Sequence, residues 1–109
     1  MLGANILGIS KNIPSKPSHF EALKISKKII DCRFDITDLK KLKKAVTKFQ
    51  PDFIFHLAAQ SLVNISYEKP LDTWKSNLIG TINVLESMKY LKRKCVCVIV
   101  TSDKCYRNL

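Results

Sequence analysis

The sequence is poor in glycine, and it lacks long apolar runs. Only three of its 109 residues are glycine, and Gly3, Gly8 and Gly80 form neither GxGxxG nor GxxGxxG. A glycine-rich phosphate-binding turn is therefore absent from the sequence. No apolar run approaches the roughly 20 residues that a membrane helix needs. The first residues also lack the basic start and apolar stretch of a signal peptide. These absences predict a cytoplasmic chain with no membrane partner.

Ligands for a metal ion are scarce. The four cysteines form no CxxC pair, and only two histidines are present. This pattern gives little support to a zinc site, so no metal is predicted. We interpret the cysteines as small buried hydrophobic residues in a reducing compartment, rather than as a disulfide pair. They are Cys32, Cys95, Cys97 and Cys105.

Lysine dominates the formal net charge of +10. A charge of this sign favours nucleic acid or another polyanion as a partner. However, no helix-turn-helix, zinc finger or aromatic stacking motif accompanies it. We therefore interpret the lysines as a solvated face and predict no nucleic-acid partner. The contents of hydrophobic residues, 46%, and charged residues, 26%, are those of a folded globular chain.

Strand and helix patterns alternate along the chain. Asp38 or Thr37 can cap a helix over residues 39–49, whose apolar residues recur at spacings of three and four. Pro70 is suited to the first position of a second helix. The predicted strands are residues 5–10, 29–34, 53–57 and 95–100, and the predicted helices are 39–49 and 70–91, with a short helical turn at 19–25. The alternation predicts an α/β fold with parallel strands and right-handed crossover helices.

Two of these elements carry predictions about the core. The run 53–57 is apolar apart from His56, which is typical of a strand buried on both faces. Helix 70–91 carries one apolar stripe, which predicts its buried face. The stripe comprises Leu71, Trp74, Leu78, Ile82 and Leu85.

Three motifs identify a family resemblance. The chain reads H-L-A-A-Q-x-x-V-x-x-S-Y-x-x-P from His56, N-x-x-G-T-x-N-V-L-E from Asn77 and T-S-D-K-C-Y-x-N from Thr101. The first two resemble the nucleotide-sugar branch of the extended short-chain dehydrogenase/reductase superfamily. The third is similar to the CDP-glucose 4,6-dehydratases, because Lys104 stands where most sugar-nucleotide 4,6-dehydratases have glutamate.

The resemblance implies that residues 1–109 form a partial NAD(P)-binding domain. Its fold would be a partial Rossmann-like parallel sheet without the first strand-turn-helix unit and without the C-terminal substrate part. The implied reaction converts CDP-glucose to CDP-4-keto-6-deoxyglucose: a hydride leaves C4 for bound NAD, water is eliminated across C5 and C6, and the hydride returns to C6. A homodimer is also implied. Without the Tyr-x-x-x-Lys pair of the family, the chain alone is expected not to turn over substrate.

The same resemblance assigns three catalytic residues. Ser102 would hydrogen-bond the sugar 4-oxygen, on which charge develops during hydride transfer. Asp103 would be the general acid that expels the C6 hydroxyl. For Lys104 three interpretations stay open: an amine that orients substrate, a base with a depressed pKa, or one more solvated lysine.

Residues that would bind the cofactor follow two strands and lie in the long helix. Asp35 and the Ile36 amide match the adenine-binding pair, although Asp35 can equally serve the helix cap. The remaining matches are Leu57, Ala58, Ala59 and Gln60 for the phosphate and ribose, Asn77 within the helix, and Thr101 beside the site. Ser10 and Lys11 stand where an acidic residue would select NAD over NADP. The resemblance favours NAD. His56 is interpreted as a hydrogen-bonded strand histidine.

Two alternatives to this function remain open. The chain could derive from another nucleotide-sugar dehydratase or an epimerase, against which the Lys104-Cys105 pair argues. It could also be a non-catalytic remnant or a basic binding module, for which the net charge argues.

Overall fold

The computed structural model describes residues 3–101, so the predicted catalytic residues Ser102, Asp103 and Lys104 lie outside the described part. Four short strands alternate with helices, as the sequence predicts. The strands are β1 (Leu7–Ser10), β2 (Ile30–Arg33), β3 (Phe53–His56) and β4 (Val96–Ile99). The helices are α1 (His19–Ala22), α2 (Leu39–Phe49), α3 (Val63–Glu68), α4 (Pro70–Trp74) and α5 (Gly80–Met88), with a 3₁₀ turn at Ile25–Lys27 and a π-helical turn at Lys75–Ile79.

The strands form two separate parallel pairs. β1 pairs with β2 so that Leu7 lies opposite Ile30, and β3 pairs with β4 so that Phe53 lies opposite Val96. Within residues 3–101 no strand joins the two pairs. The predicted α/β class and parallel arrangement are confirmed.

Helix α2 forms where the spacing of apolar residues predicts it. The Asp38 carboxylate caps its first turn by accepting a hydrogen bond from the Lys41 N–H at 3.1 Å. The helix ends at Phe49; Gln50 is its C-cap with a left-handed φ of +53°, and Pro51 follows. Leu42 and Val46 point from α2 into the protein and are buried.

The core lies where α2 and α5 pack against each other and against the strands. Val84 of α5 is 5% exposed and clusters with Leu42 and Val46. The partly buried Ile9 of β1 and Ile54 of β3 pack on this cluster, so both strand pairs share one helical layer. The core therefore fixes the two pairs relative to each other, although they share no strand-to-strand hydrogen bond.

The face of α5 that is buried is not the one that the sequence predicts. Its buried residues are Gly80, Asn83, Val84 and Ser87. The apolar stripe faces outward instead: on α5 Ile82 is 49% and Leu85 is 46% exposed, and on α4 Trp74 is 64% exposed. The prediction that this stripe belongs to the core is wrong for the described chain, because small residues on the opposite face let α5 approach its neighbours closely.

Strand β3 is buried on one face only. Ile54 and His56 point toward the helices, whereas Phe53 and Phe55 are 62% and 64% exposed. The prediction of burial on both faces is therefore wrong, because no element among residues 3–101 covers the face that carries the phenylalanines.

The interpretation of the cysteines as small buried residues holds only in part, because Cys32, Cys95 and Cys97 are each partly exposed. Cys32, Cys95 and Cys97 are free thiols, and burial raises the pKa of both Cys95 and Cys97, so neither is activated as a thiolate. Helix α3 was not predicted, and the predicted helix 70–91 begins at Pro70 but ends at Met88 with a π-helical turn inside it. No helix between residues 3 and 101 is long and apolar enough to cross a bilayer.

Candidate functional site

Residues that follow β2 and β3 in the chain line one cavity of about 1050 Å³. Ile36, which follows β2, and Leu57 and Ala58, which follow β3, line the same cavity. Ligands of open α/β sheets bind at this edge of the strands. The structure thus brings together three of the residues that the sequence assigns to the cofactor.

Asp35 lies beside these residues with its carboxylate already engaged. One oxygen accepts hydrogen bonds from the Thr37 N–H at 3.0 Å and the Thr37 hydroxyl at 2.9 Å, and the other lies 3.1 Å from the Lys11 ammonium. The Thr37 amide, assisted by its hydroxyl and by Lys11, holds the pKa of Asp35 below its ordinary value. The carboxylate is therefore a fixed anion that shapes the turn before α2.

Helix α5 contacts the turn at Ile36 through Asn83 and Gly80. The Asn83 amide nitrogen donates to the carbonyls of Ile36 and Thr37, both at 3.0 Å. A Cβ placed on Gly80 would lie 2.8 Å from Cγ1 of Ile36, closer than van der Waals contact allows. Asn83 fixes the backbone of Ile36, whose amide the family resemblance assigns to adenine, and Gly80 leaves room for the Ile36 side chain.

Asn77 fastens the loop after β3 to the helical segment. Its side-chain oxygen accepts from the Gln60 N–H at 2.7 Å, and its amide nitrogen donates to the Gln60 carbonyl at 2.9 Å. Asn77 lies in the π-helical turn Lys75–Ile79, a local geometry that is frequent at functional sites. Its amide therefore positions the loop 57–60 rather than reaching toward open solvent.

His56 is a hydrogen-bonded strand residue, as predicted. It is 6% exposed, and its Nε2 lies 2.9 Å from the Thr81 hydroxyl. That hydroxyl donates its single proton to the Asn77 carbonyl at 2.6 Å. Thr81 can therefore only accept from His56, which places the ring proton on Nε2. Burial lowers the pKa of His56, so the ring stays neutral.

The motif that begins at Asn77 thus supplies contacts to both loops of the site, the turn after β2 and the loop after β3. The residues of N-x-x-G-T-x-N hold Gln60, Ile36, His56 and the Ile36–Thr37 carbonyls in turn. The sequence pattern gives no indication of these roles of Gly80, Thr81 and Asn83, although the motif that contains them is recognisable. Ala59 and Thr101 are exposed at the ends of β3 and β4.

Asn83→Asp is expected to destabilise the fold by about 1–3 kcal/mol. The substitution keeps the shape of the side chain, but it replaces the donating amide by a carboxylate that faces two carbonyl oxygens. Denaturant unfolding measures the change. Asn64→Asp is the matched control, because Asn64 is exposed in the first turn of α3 and its change is expected to be within about 0.5 kcal/mol. Equal effects of the two substitutions would contradict the assigned role of Asn83.

The free energy of unfolding is expected to fall as the pH drops below 6.5, the ordinary pKa of histidine. The fold lowers the pKa of His56, so the unfolded chain takes up the proton first and is favoured by acid, by at most about 1.4 kcal/mol per pH unit. His56→Gln retains a donor for Thr81 and should flatten the profile between about pH 7 and pH 5, the range in which histidine ordinarily titrates. A slope that persists in His56→Gln would refute the assignment, and His19→Gln, which replaces the exposed histidine, is the comparison variant.

Comparison with known proteins places these motifs in a family. The family model described as GDP-mannose 4,6 dehydratase matches residues 6–109. A CDP-glucose 4,6-dehydratase of Salmonella typhimurium is 38% identical over 107 residues, which are 98% of this chain and 30% of that protein. A UDP-glucose 4-epimerase of Mycoplasma genitalium is 34% identical over 86 residues, 77% of this chain and 25% of that protein. The chain thus spans less than a third of the length of these relatives.

Solved structures share the fold. A UDP-glucose 4-epimerase of Stenotrophomonas maltophila, with bound NAD and formylated UDP-arabinopyranose, superposes with a TM-score of 0.81 at 23% identity, over 99% of this chain and 32% of that one. A UDP-glucose 4-epimerase of Bifidobacterium longum, in complex with NAD⁺ and UDP, superposes with a TM-score of 0.76 at 20% identity, over 94% of this chain and 31% of that one. With the family model matched over almost the whole chain, this protein belongs to the GDP-mannose 4,6-dehydratase family of nucleotide-sugar enzymes.

Proposed function

We propose that this chain is the cofactor-binding part of an NAD-dependent CDP-glucose 4,6-dehydratase. The observation that carries the proposal is the 38% identity to the Salmonella typhimurium enzyme over 98% of the chain. The Lys104-Cys105 pair, which resembles the CDP-glucose enzymes rather than other dehydratases, supports the same substrate.

The residues at the carboxyl ends of β2 and β3 fit an extended cofactor. Ile36 and Leu57 offer apolar surface to the cavity, and Ala58 offers a small side chain beside which a ligand can lie close to the backbone. Bound NAD would supply a hydride acceptor for C4 of the sugar and later a hydride donor for C6. The chain's own contribution is to hold these loops in place before the ligand arrives.

Asp35 and Ile36 are the proposed adenine contacts. The Asp35 carboxylate is kept ionised by Thr37 and Lys11, so it can accept a further hydrogen bond from the adenine amino group. Asn83 holds the Ile36 backbone, whose amide would meet a ring nitrogen, and Gly80 accommodates the Ile36 side chain. Helix capping and adenine binding are therefore compatible uses of the same turn.

The loop 57–60 and Asn77 form the second half of the proposed site. Both amide atoms of Asn77 bind the Gln60 backbone, and the Gln60 side chain donates to the Leu62 carbonyl at 3.0 Å and to the Thr73 hydroxyl at 3.2 Å. The loop is thus fixed at Gln60, and a preorganised loop loses little conformational freedom when it binds ligand. We propose that Asn77 acts by positioning this loop and that Thr101 lies beside the bound cofactor.

The chemistry on the sugar is assigned to three residues that follow β4. Ser102 would donate a hydrogen bond to the 4-oxygen, Asp103 would protonate the leaving C6 hydroxyl, and Lys104 would orient the substrate or accept a proton. An acid at Asp103 is required because hydroxide is a poor leaving group near neutral pH.

A chimera tests the proposal most directly. This chain would replace the segment of the Salmonella typhimurium enzyme that it matches, and the chimera would be offered CDP-glucose, UDP-glucose and GDP-mannose with NAD. We expect formation of a 4-keto-6-deoxy sugar from CDP-glucose in preference to the other two. The unaltered Salmonella enzyme is the positive control, and this chain alone is expected to form no keto sugar.

The same assay separates the dehydratase from an epimerase. Relatives that are UDP-glucose 4-epimerases match the chain at 34% identity, so an epimerase is the second candidate. An epimerase would invert C4 of UDP-glucose without forming a keto product. A chimera that folds, binds NAD and converts UDP-glucose to its C4 epimer would overturn the CDP-glucose proposal.

The exposed stripe on α4 and α5 supports the homodimer that the resemblance implies. Trp74, Leu78 and Ile82 are each at least 46% exposed, and exposed apolar patches commonly mark contacts between proteins. The proposed cytoplasmic location is supported by the free thiols at Cys32, Cys95 and Cys97.

A further inference from the structure

Two lysine-rich segments that are distant in the sequence lie side by side in the fold. One is α2, and the other is the turn 89–94, which follows α5. The Gln50 side chain at the end of α2 accepts a hydrogen bond from the Lys92 N–H at 2.9 Å. The Lys43 ammonium of α2 lies 3.1 Å from the centre of the Tyr90 ring. The two segments therefore form one continuous surface, which we call the basic surface.

The basic surface carries much of the positive charge of the chain. Its two segments contain nine lysine and arginine residues and no aspartate or glutamate. Three of the nine pair with carboxylates that flank the segments: Lys41 with Asp38, Lys89 with Glu86 and Arg93 with Asp52. The other six have no carboxylate partner among residues 3–101, and they are Lys40, Lys43, Lys44, Lys48, Lys92 and Lys94. These six account for a net local charge of +6, out of +10 for the whole sequence.

Three of these lysines form a row along α2. Lys40, Lys44 and Lys48 are four positions apart, so successive ones lie about 6 Å apart along the helix axis. All three are exposed, because Leu42 and Val46 occupy the opposite face of the helix and are buried. Charges along one nucleic-acid strand follow one another at about 3.4 Å, so alternate phosphates lie about 7 Å apart. The row of lysines therefore matches alternate phosphates of one strand.

We propose that the basic surface binds the phosphate backbone of a single nucleic-acid strand without regard to its base sequence. A strand that lies along the row on α2 continues beyond Gln50 onto the turn 89–94, where Lys92 and Lys94 supply further cations. Binding through phosphates needs no helix-turn-helix, zinc finger or stacking motif. The sequence alone predicts a solvated face because it does not show that the two lysine segments adjoin.

Other anionic partners require features that the basic surface lacks. A stable protein interface has an apolar, desolvated centre, whereas every exposed residue of α2 is a lysine. A helix that binds a lipid surface inserts its apolar face, but α2 packs that face into the core through Leu42 and Val46. The proposal uses no residue that is assigned to cofactor or substrate, so it is independent of the proposed function.

Fluorescence anisotropy with labelled single strands tests the proposal on the full chain. The probes are an RNA strand of about 20 uridines and a DNA strand of about 20 thymidines, which share the phosphate backbone. We expect both to bind with affinities within about threefold of each other, and the logarithm of the binding constant to fall linearly with the logarithm of salt concentration, by about 0.7 per phosphate contacted. Binding of only one strand, or binding that does not weaken with salt, would overturn the proposal. Equal or tighter binding of polyglutamate of the same length would identify an acidic polypeptide as the occupant and would overturn it as well.

A triple variant locates the binding on α2. Lys40→Gln/Lys44→Gln/Lys48→Gln removes the row of charges, and glutamine has a helix propensity close to that of lysine. The substitutions also remove like-charge repulsion at four-residue spacing, so α2 is expected to stay folded. We expect the salt dependence to become shallower by about 2, the contribution of three phosphate contacts, and the affinity at about 50 mM salt to fall at least about tenfold.

A second triple variant controls for net charge. Lys24→Gln/Lys27→Gln/Lys28→Gln removes three exposed lysines that lie before β2, outside the basic surface. It changes the net charge by the same amount, but we expect the slope of the salt dependence to stay that of the unsubstituted chain. An equal change of slope in the two triple variants would show that binding follows net charge alone, and the proposal would be wrong.

Discussion

Leu42→Ala is expected to destabilise the fold by about 2–5 kcal/mol, the range observed when a buried leucine is truncated in a core. Leu42 is 2% exposed and is one of three buried hydrophobic residues in the described chain, with Val46 and Val84. Truncation removes its contacts and leaves a cavity between α2 and α5, which the neighbouring helices cannot fill without moving the strands. In a domain with so small a core, the loss is a large share of the total stability.

Equilibrium unfolding in urea, followed by circular dichroism, measures this effect. Leu71→Ala is the matched control, because it removes the same atoms from a side chain that is 73% exposed. Its effect is expected to stay within about 0.5 kcal/mol. A destabilisation by Leu42→Ala that is no larger than that of Leu71→Ala would show that the core does not lie between α2 and α5.

The sequence predicts elements well where one local signal decides them. α2 combines a capping aspartate, apolar residues at helical spacing and a terminating proline, and it forms over the predicted residues 39–49. Its buried positions, Leu42 and Val46, lie in the predicted apolar series. Each of these signals acts within one or two helical turns, so no knowledge of distant contacts is required.

The orientation of α5 could not be predicted in the same way. Apolar periodicity assigns the core to the stripe that contains Trp74, yet the packed face carries Gly80, Asn83 and Ser87. Gly80 is required because Ile36 lies against it, and Asn83 is required because two carbonyls of a distant turn need a donor. Hydrophobicity cannot reveal a face that is selected by close approach and by hydrogen bonding.

In the candidate site, too, local motifs are recognisable from the sequence but contacts between distant segments are not. The motif beginning at His56 and the motif beginning at Asn77 are recognisable separately, but their pairing is a property of the fold. His56 contacts Thr81 and Gln60 contacts Asn77 across 25 and 17 positions of the chain. Sequence spacing also gives no indication of the π-helical turn that contains Asn77. The sequence motifs therefore identify candidate residues, whereas the contacts between the two motifs could be found only in the structure.

Asp103→Asn is expected to lower the rate of dehydration by about 10²- to 10⁴-fold, the usual contribution of a general acid. The prediction depends on the proposed function and is tested in the chimera with the Salmonella typhimurium enzyme. Asparagine has nearly the shape of aspartic acid but no ionisable proton to give to the leaving C6 hydroxyl. Removal of hydride from C4 does not need that proton. The sugar should therefore be oxidised at C4 and then retain its C6 hydroxyl.

The distribution of products distinguishes this role from a structural one. In Asp103→Asn we expect NADH absorbance to rise on addition of CDP-glucose while 4-keto-6-deoxy sugar forms slowly, with KM close to that of the unsubstituted chimera. Ser102→Ala should instead slow the first oxidation, because Ser102 is proposed to stabilise charge on the 4-oxygen. Cys105→Ser is the neighbouring control and should retain both steps. Two results would contradict the role of Asp103 as general acid: loss of NADH formation together with dehydration in Asp103→Asn, or an unchanged rate of dehydration. Lys104 would then be the next residue to replace.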